Sequence, residues 1–219
     1  MNVFDIIGPV MIGPSSSHTA GAARIGLITR HLLGEEPVSA VIRLFGSFAE
    51  TYRGHGTDRA IVGGLLGMKV DDPGLRGSLE TARTKGVSIE FVRMGTQAEH
   101  PNTVEIEARA ASGKKIDVLA CSTGGGNVLF KRVNGLEAEF TAQFNTLAAV
   151  HRDTPGVIAS MTEILSRRGI NIAFMKVYRS SRGGDAVAII ETDEDISPRA
   201  CRDIEEIPAV RSVMMIHKV

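Results

Sequence analysis

Cysteine is nearly missing from this chain of 219 residues, which has only Cys121 and Cys201. Two widely separated thiols make no disulfide framework, and they fit neither a CxxC pair nor a multi-thiolate metal site. Any metal chemistry therefore needs ligands from another chain. Charge of one sign is also lacking, because 25 Lys and Arg cancel 25 Asp and Glu. Without a cationic surplus to hold a phosphate backbone, a nucleic-acid partner is not expected. No apolar run reaches the roughly 18 to 20 residues that cross a bilayer. The opening, MNVFDIIGPVMIG, carries Asp5 where a signal peptide would be cationic. A soluble, cytoplasmic protein without membrane contact is the expectation. Disorder is excluded by the 43% hydrophobic content, enough at this length to bury a core.

What is present divides into two regions, expected as domains 1–141 and 142–219. In the first, Val38, Ala40, Ile42 and Leu44 alternate with Ser39, Val41, Arg43 and Phe45, and Val87, Ile89 and Phe91 alternate with Ser88 and Glu90. This period of two predicts strands that share a sheet. Residues 104–109 and 115–120 read as a hairpin turned at Ser112-Gly113-Lys114, and 128–133 as a further strand. Helices are predicted over 20–33, 58–66 and 75–85, each stopped by a glycine, at Gly34, Gly67 and Gly86. The second region reads strand 145–151, helix 155–168, strand 172–178, strand 186–191, helix 198–205 and strand 211–217. Thr154 is the expected N-cap of its first helix, with Pro155 at the first helical position and Val157, Met161, Ile164 and Leu165 as the buried stripe. This βαββαβ order, opened by HRDTPGVIASMTEILSRRGINI, resembles the ACT domain, a small amino-acid-sensing and pairing module. Asp153, Gly156, Asn171 and Ile172 stand at the matching places. The turn from Asp153 to Val157 offers amide donors and a positive helix end to an amino-acid carboxylate, with Asp153 available for the ammonium. The alternative is that Asp153 only caps the helix and the module only pairs with a second copy.

Three stretches bring together the residue types that do chemistry. In GPSSSHTAGAA, Ser15, Ser16, Ser17, His18 and Thr19 crowd the entry to a helix, where hydroxyl and amide donors suit a carboxylate. The plainer reading is ordinary capping by Ser17 or Thr19 with His18 on the surface. GHGTDR sets His55 between glycines just before a helix, and Asp58 either orients His55 or simply favours the first helical turn. HPNT places His100, Asn102 and Thr103 before a strand, with Pro101 biasing His100 to extended geometry. Histidine titrates near neutral pH, so such loops suit a proton abstractor. A Ser–His hydrolase is disfavoured: there is no G-x-S-x-G, and Ser17 and His18 would diverge by about 100° if helical. The run STGGGN lacks the lysine of a phosphate loop and precedes a strand.

Taken in order, GPSSSHTAGAAR, LFGSFAETYRGHGTDRA, HPNT and STGGG, closed by the ACT-like region, resemble the beta chain of the two-subunit, iron-sulfur-dependent bacterial L-serine dehydratase. The resemblance spans essentially the whole chain. It implies an α+β fold, in which an N-terminal domain like the allosteric-substrate-binding type precedes a ferredoxin-like ACT domain. It also implies a partner alpha chain whose cysteines hold a 4Fe-4S cluster, and no pyridoxal phosphate. The implied reaction is elimination of water from L-serine to give pyruvate and ammonia, with iron as Lewis acid and a base on the α-proton. The resemblance makes His18 the first choice for that base and His55 the second. Ser15, Ser16, Ser17, Thr19, His100, Asn102 and Thr103 become substrate-binding groups, and Asp153, Gly156, Val157, Asn171 and Ile172 an allosteric amino-acid site. Homodimer contacts through the ACT domain are implied as well. The competing expectation is an amino-acid-sensing subunit with no catalytic residue of its own.

Overall fold

The computed structural model describes residues 10–96 and 98–218, so Asp5 and the other residues before Val10 lie outside the described residues. The chain divides into two compact units, one ending at Asn134 and the other beginning at Gly135. Among the described residues no helix is long and apolar enough to cross a membrane.

The first unit is a sheet covered on one face by helices. Its strands are β1 (Pro37–Leu44), β2 (Ser88–Arg93), β3 (Thr103–Ala110), β4 (Lys115–Gly124) and β5 (Asn127–Val133), in the spatial order β2-β1-β3-β4-β5. β1 and β2 are parallel, and the other neighbours are antiparallel. The register pairs Ile42 with Ile106 and Ile106 with Val118, so the apolar alternation of three strands falls on one buried face. The opposite face carries the charged alternates, with Arg109 on Glu107 at 2.7 Å and Arg132 on Glu105 at 3.3 Å. Val38, grouped by periodicity with Ala40, Ile42 and Leu44, is 43% exposed instead. The register slips between Pro37 and Ser39, and the bulge there turns Val38 out of the pleat.

Helices α1 (Ala22–Leu33), α2 (Gly46–Thr51), α3 (Thr57–Leu65) and α4 (Ser78–Thr84) complete the unit. α1 and α3 meet backbone to backbone. A Cβ on Gly26 would stand 2.2 Å from Ile61 O, and one on Gly64 would stand 2.1 Å from Ala23 O, so only glycine permits this crossing. That contact locks the first half of α1 on the second half of α3, and Thr19 Oγ1, donating to His55 O, ties the two histidine loops together. The predicted helix over 75–85 is broken: a 3₁₀ turn, Pro73–Gly77, precedes α4. α2 was not apparent in the hydrophobic pattern, since six residues carry too little periodicity.

The second unit opens with β6 (Leu136–Phe140). It continues as β7 (Asn145–Arg152), α5 (Val157–Ser166), β8 (Ile172–Arg179), β9 (Asp185–Thr192), α6 (Pro198–Glu205) and β10 (Val210–Ile216). The four later strands form an antiparallel sheet in the order β10-β7-β9-β8, the expected βαββαβ arrangement. Leu147, Ala149, Ala188 and Ile190 bury one sheet face under Met161, Leu165 and Ile204 of the helices. Each large apolar side chain so buried contributes about 1.5–3 kcal/mol. α6 starts as its sequence prescribes, with Ser197 Oγ accepting from Ala200 N at 3.2 Å and Pro198 in the first turn. α5 does not. It begins after Gly156, whose φ of 89° is left-handed, and Thr154 Oγ1 donates back to Arg152 O at 3.4 Å. The cap expected of Thr154 is thus replaced by a glycine turn that holds Pro155 outside the helix.

Candidate active site

The serine-rich stretch forms one wide, π-helical turn, Ser16–Gly21, running directly into α1. Ala20 N reaches Ser15 O at 3.4 Å, five residues back, while Thr19 N reaches the same oxygen at 2.9 Å. Ser15 supplies the cap, its Oγ accepting from His18 N at 3.1 Å, which corrects the reading of Ser17 or Thr19 as capping groups. Gly13 lets the chain enter: with φ of 124°, a Cβ there would lie 2.4 Å from Thr19 Cγ2. His18 is half-buried, with its ring edge-on to Phe48 at 5.3 Å between centroids.

Both ring nitrogens of His18 face hydroxyls. Nδ1 lies 3.0 Å from Ser17 Oγ and Nε2 lies 2.9 Å from Ser47 Oγ, while Ser17 Oγ lies 3.3 Å from Ser15 Oγ. The wide turn brings Ser17 and His18 side chains together, contrary to the divergence expected of an α-helix. A hydrolytic triad is still absent, because the far nitrogen meets a hydroxyl where an orienting carboxylate would sit. Ser47 is the residue that sequence reasoning missed. It sits at the start of α2 within LFGSFAET, and only its position after a glycine at a helix entry hinted at a role.

His55 approaches from the loop before α3, its ring centroid 4.9 Å from that of His18. Thr19 Oγ1 fixes the loop by donating to His55 O at 3.0 Å. His55 Nδ1 is buried without a hydrogen-bond partner among the described residues. Burial, and secondarily the neighbouring His55, push the His18 pKa below its ordinary value, so its imidazole is neutral at physiological pH. Asp58 does not orient His55: its Oδ1 accepts from Arg59 N at 2.8 Å, and burial raises its pKa. A cavity of about 350 Å³ opens beside His55, Thr19 and the Gly13-Pro14 backbone.

The side-chain hydrogen bonds of the HPNT loop run within the loop and to β4. His100 Nδ1 accepts from Asn102 N at 3.1 Å, Thr103 Oγ1 donates to His100 O at 2.6 Å, and Asn102 Nδ2 donates to Ser122 O at 3.4 Å. Its backbone carries α2, since Phe48 N donates to Pro101 O at 3.4 Å. The STGGG run closes the β4–β5 hairpin, with Gly125 and Gly126 at φ of 61° and 82°. Ser122 packs where a side chain on Gly21 would stand, which seats the π-helical turn against β4.

In the second unit the five expected ligand residues are not gathered. Asp153, Gly156 and Val157 lie before and at the start of α5, whereas Asn171 and Ile172 lie beyond its end, about 15 Å away for ten residues. Asp153 already accepts from Gly183 N at 3.2 Å and from Arg179 Nη1 at 3.3 Å, and the Gly183 amide, aided by Arg179, lowers its pKa. Asn171 donates from N to Glu194 at 2.7 Å and from Nδ2 to Asp193 at 2.6 Å.

Comparison with known proteins agrees with this division. Residues 2–86 match the family model of the serine dehydratase beta chain, and residues 146–209 match that of the ACT domain. The probable L-serine dehydratase beta chain of Bacillus subtilis is 41% identical over 215 residues, covering 98% of this chain and 97% of that one. The L-serine dehydratase beta chain of Peptoniphilus asaccharolyticus is 32% identical over 197 residues, covering 90% and 89%. L-serine dehydratase 2 of Escherichia coli is 44% identical over 77 residues, 32% of this chain and 16% of that protein. With the βαββαβ unit at its carboxyl end and similarity to two beta chains over nearly its whole length, this chain belongs to the L-serine dehydratase beta-chain family.

Proposed function

We propose that this chain is the acid–base half of a cytoplasmic L-serine ammonia-lyase, converting L-serine to pyruvate and ammonia together with an alpha chain. The observation that carries the reading is His18: half-buried, neutral at physiological pH, and held at both ring nitrogens by Ser17 and Ser47. A neutral imidazole of fixed orientation is the group that removal of an α-proton requires. One ring nitrogen donates to its hydroxyl and the other accepts, so the serine at the accepting nitrogen gives way when the α-proton arrives there. Ser15 fixes Ser17 and the His18 backbone, and Thr19 fixes His55, which lies close enough to take up or repel the added charge.

A 4Fe-4S cluster does not fit on this chain. It has two cysteines, one in each unit, and no three His, Cys, Asp or Glu side chains gather among the described residues. The cluster of the family is therefore assigned to the alpha chain, where it would act as Lewis acid on the leaving hydroxyl.

His18→Ala in the reassembled two-chain enzyme should lower kcat by on the order of 10² or more. A change confined to half-saturation would replace this reading with that of a sensing subunit. The ACT unit is assigned the regulatory role. Because its ligand residues flank α5 at opposite ends, pairing with a second copy is the way they would close on an amino acid. Amino-acid titration of the assembled enzyme, with sedimentation, tests this.

A further inference from the structure

Gly21 closes the π-helical turn with φ of −60° and ψ of −41°, ordinary right-handed helix in which alanine is favoured over glycine by about 1 kcal/mol. Backbone freedom therefore does not explain a glycine there; space does. A Cβ on Gly21 would stand 2.0 Å from Ser122 Oγ and 2.7 Å from Ser122 Cβ, with the next atom, Asn127 O, at an ordinary 3.7 Å. The obstruction is one side chain, supplied by the STGGG run. Ser122 has no room to retreat: it is fully buried, its amide donates to Asn102 O at 3.0 Å, and its carbonyl accepts from Asn102 Nδ2 at 3.4 Å. Its Oγ has no hydrogen-bond partner among the described residues, so what it offers the turn is contact. Further along α1, Arg24 Nη1 donates to Gly126 O at 2.8 Å and draws the same helix onto the same hairpin. The width of the turn seated in this way is what brings Ser17 Oγ to 3.0 Å from His18 Nδ1, and such one-turn π-helices are rare.

We propose that Ser122 is a positioning residue for the elimination: by packing on Gly21 it holds the π-helical turn in the register that presents His18. Its effect on turnover rests on His18 being the base, whereas its effect on the imidazole does not. A misplacement of about 1 Å can cost on the order of 10² in rate, so a contact remote from substrate still reaches the chemistry.

The test is a size exchange across the contact. Gly21→Ala in the reassembled two-chain enzyme should lower kcat about tenfold or more with KM little changed, and should shift the His18 imidazole nitrogen resonances of the free chain. Ser122→Gly removes both obstructing atoms, so the double variant Gly21→Ala/Ser122→Gly should regain at least the turnover of Ser122→Gly alone and return the resonances toward their original positions, with those of His151 in the second unit unmoved throughout. An effect of Gly21→Ala confined to KM, unaltered turnover, or a double variant as poor as Gly21→Ala would overturn the proposal. If urea unfolding shows that Gly21→Ala does not fold, Ser122→Gly carries the test without a clash: lowered kcat with moved His18 resonances supports the seating, and no change in either overturns it. Should His18→Ala be fully active, the reading of His18 as base fails alone, and the resonances still decide whether Ser122 seats the ring.

Discussion

The turn before α1 and the turn before α5 look alike in sequence, each a polar stretch feeding a helix, and they differ in how their polar groups are satisfied. Before α1, residues far apart in the chain converge: Ser47 reaches His18 across 29 positions and Thr19 reaches His55 across 36. His55 Nδ1 stays buried and unpartnered among the described residues. Before α5, Asp153 is already held by Gly183 and Arg179, so the turn is complete without a ligand. A buried polar atom without a partner costs about 1–3 kcal/mol, and the second turn has one nearby as well, His151 Nε2, so the difference between the turns lies in the long-range contacts to His18 and His55. On the proposed reading the first turn, where side chains distant in the chain converge on an imidazole, is the place for chemistry, whereas the second is held by hydrogen bonds within its own unit.

The widest separation between the two turns is expected in turnover. In the same reassembled enzyme, His18→Ala should lose on the order of 10² in kcat, and Asp153→Ala should stay within about twofold, because Asp153 bonds to Arg179 of β8 and to Gly183 of the β8–β9 turn, both in the second unit. Steady-state kinetics on the pair decides; comparable losses would erase the distinction. Next in size, Ser17→Ala and Ser47→Ala each remove one hydroxyl from the imidazole, an effect of about 1 kcal/mol, or roughly fivefold in kcat. The serine whose removal hurts less is the one that gives way to substrate. Equal, negligible effects would mean that the hydroxyls do not position the ring.

Gly156→Ala tests the second turn by stability. Its φ of 89° penalises any Cβ, so about 1 kcal/mol should be lost in urea unfolding, with kcat unchanged. The smallest effect concerns pH. His18 has its pKa lowered first by burial and then by His55, and the base works unprotonated. His55→Gln removes the second cause, so the His18 pKa rises part of the way back and the acidic limb of kcat/KM moves to higher pH. A limb that stays fixed, or moves lower, would show that the two rings are not coupled.

Much of this architecture was readable from residue order. The alternation in β1, β3 and β4, the glycine stops and the βαββαβ order all follow from local periodicity and turn chemistry, and they reappear in the folded chain. Three of the misreadings share one cause. Val38 leaves the buried face at a bulge, Thr154 yields its cap to Gly156, and Ser17 meets His18 on a π-helical turn. Each is a shift of one or two residues in backbone phase, which depends on what the neighbouring element demands.

The sequence by itself determined which residue types were available and the two regions in which they would lie: a hydroxyl-and-histidine stretch ahead of a sheet domain, and an ACT-like carboxyl end. Only the tertiary structure decided that Ser47 would face His18, that His55 would stack beside it, and that the HPNT backbone would carry α2. The reason is the α1–α3 crossing at Gly26 and Gly64, where two backbones come close enough to align loops more than thirty residues apart. No local pattern encodes that alignment, because it is a property of packing.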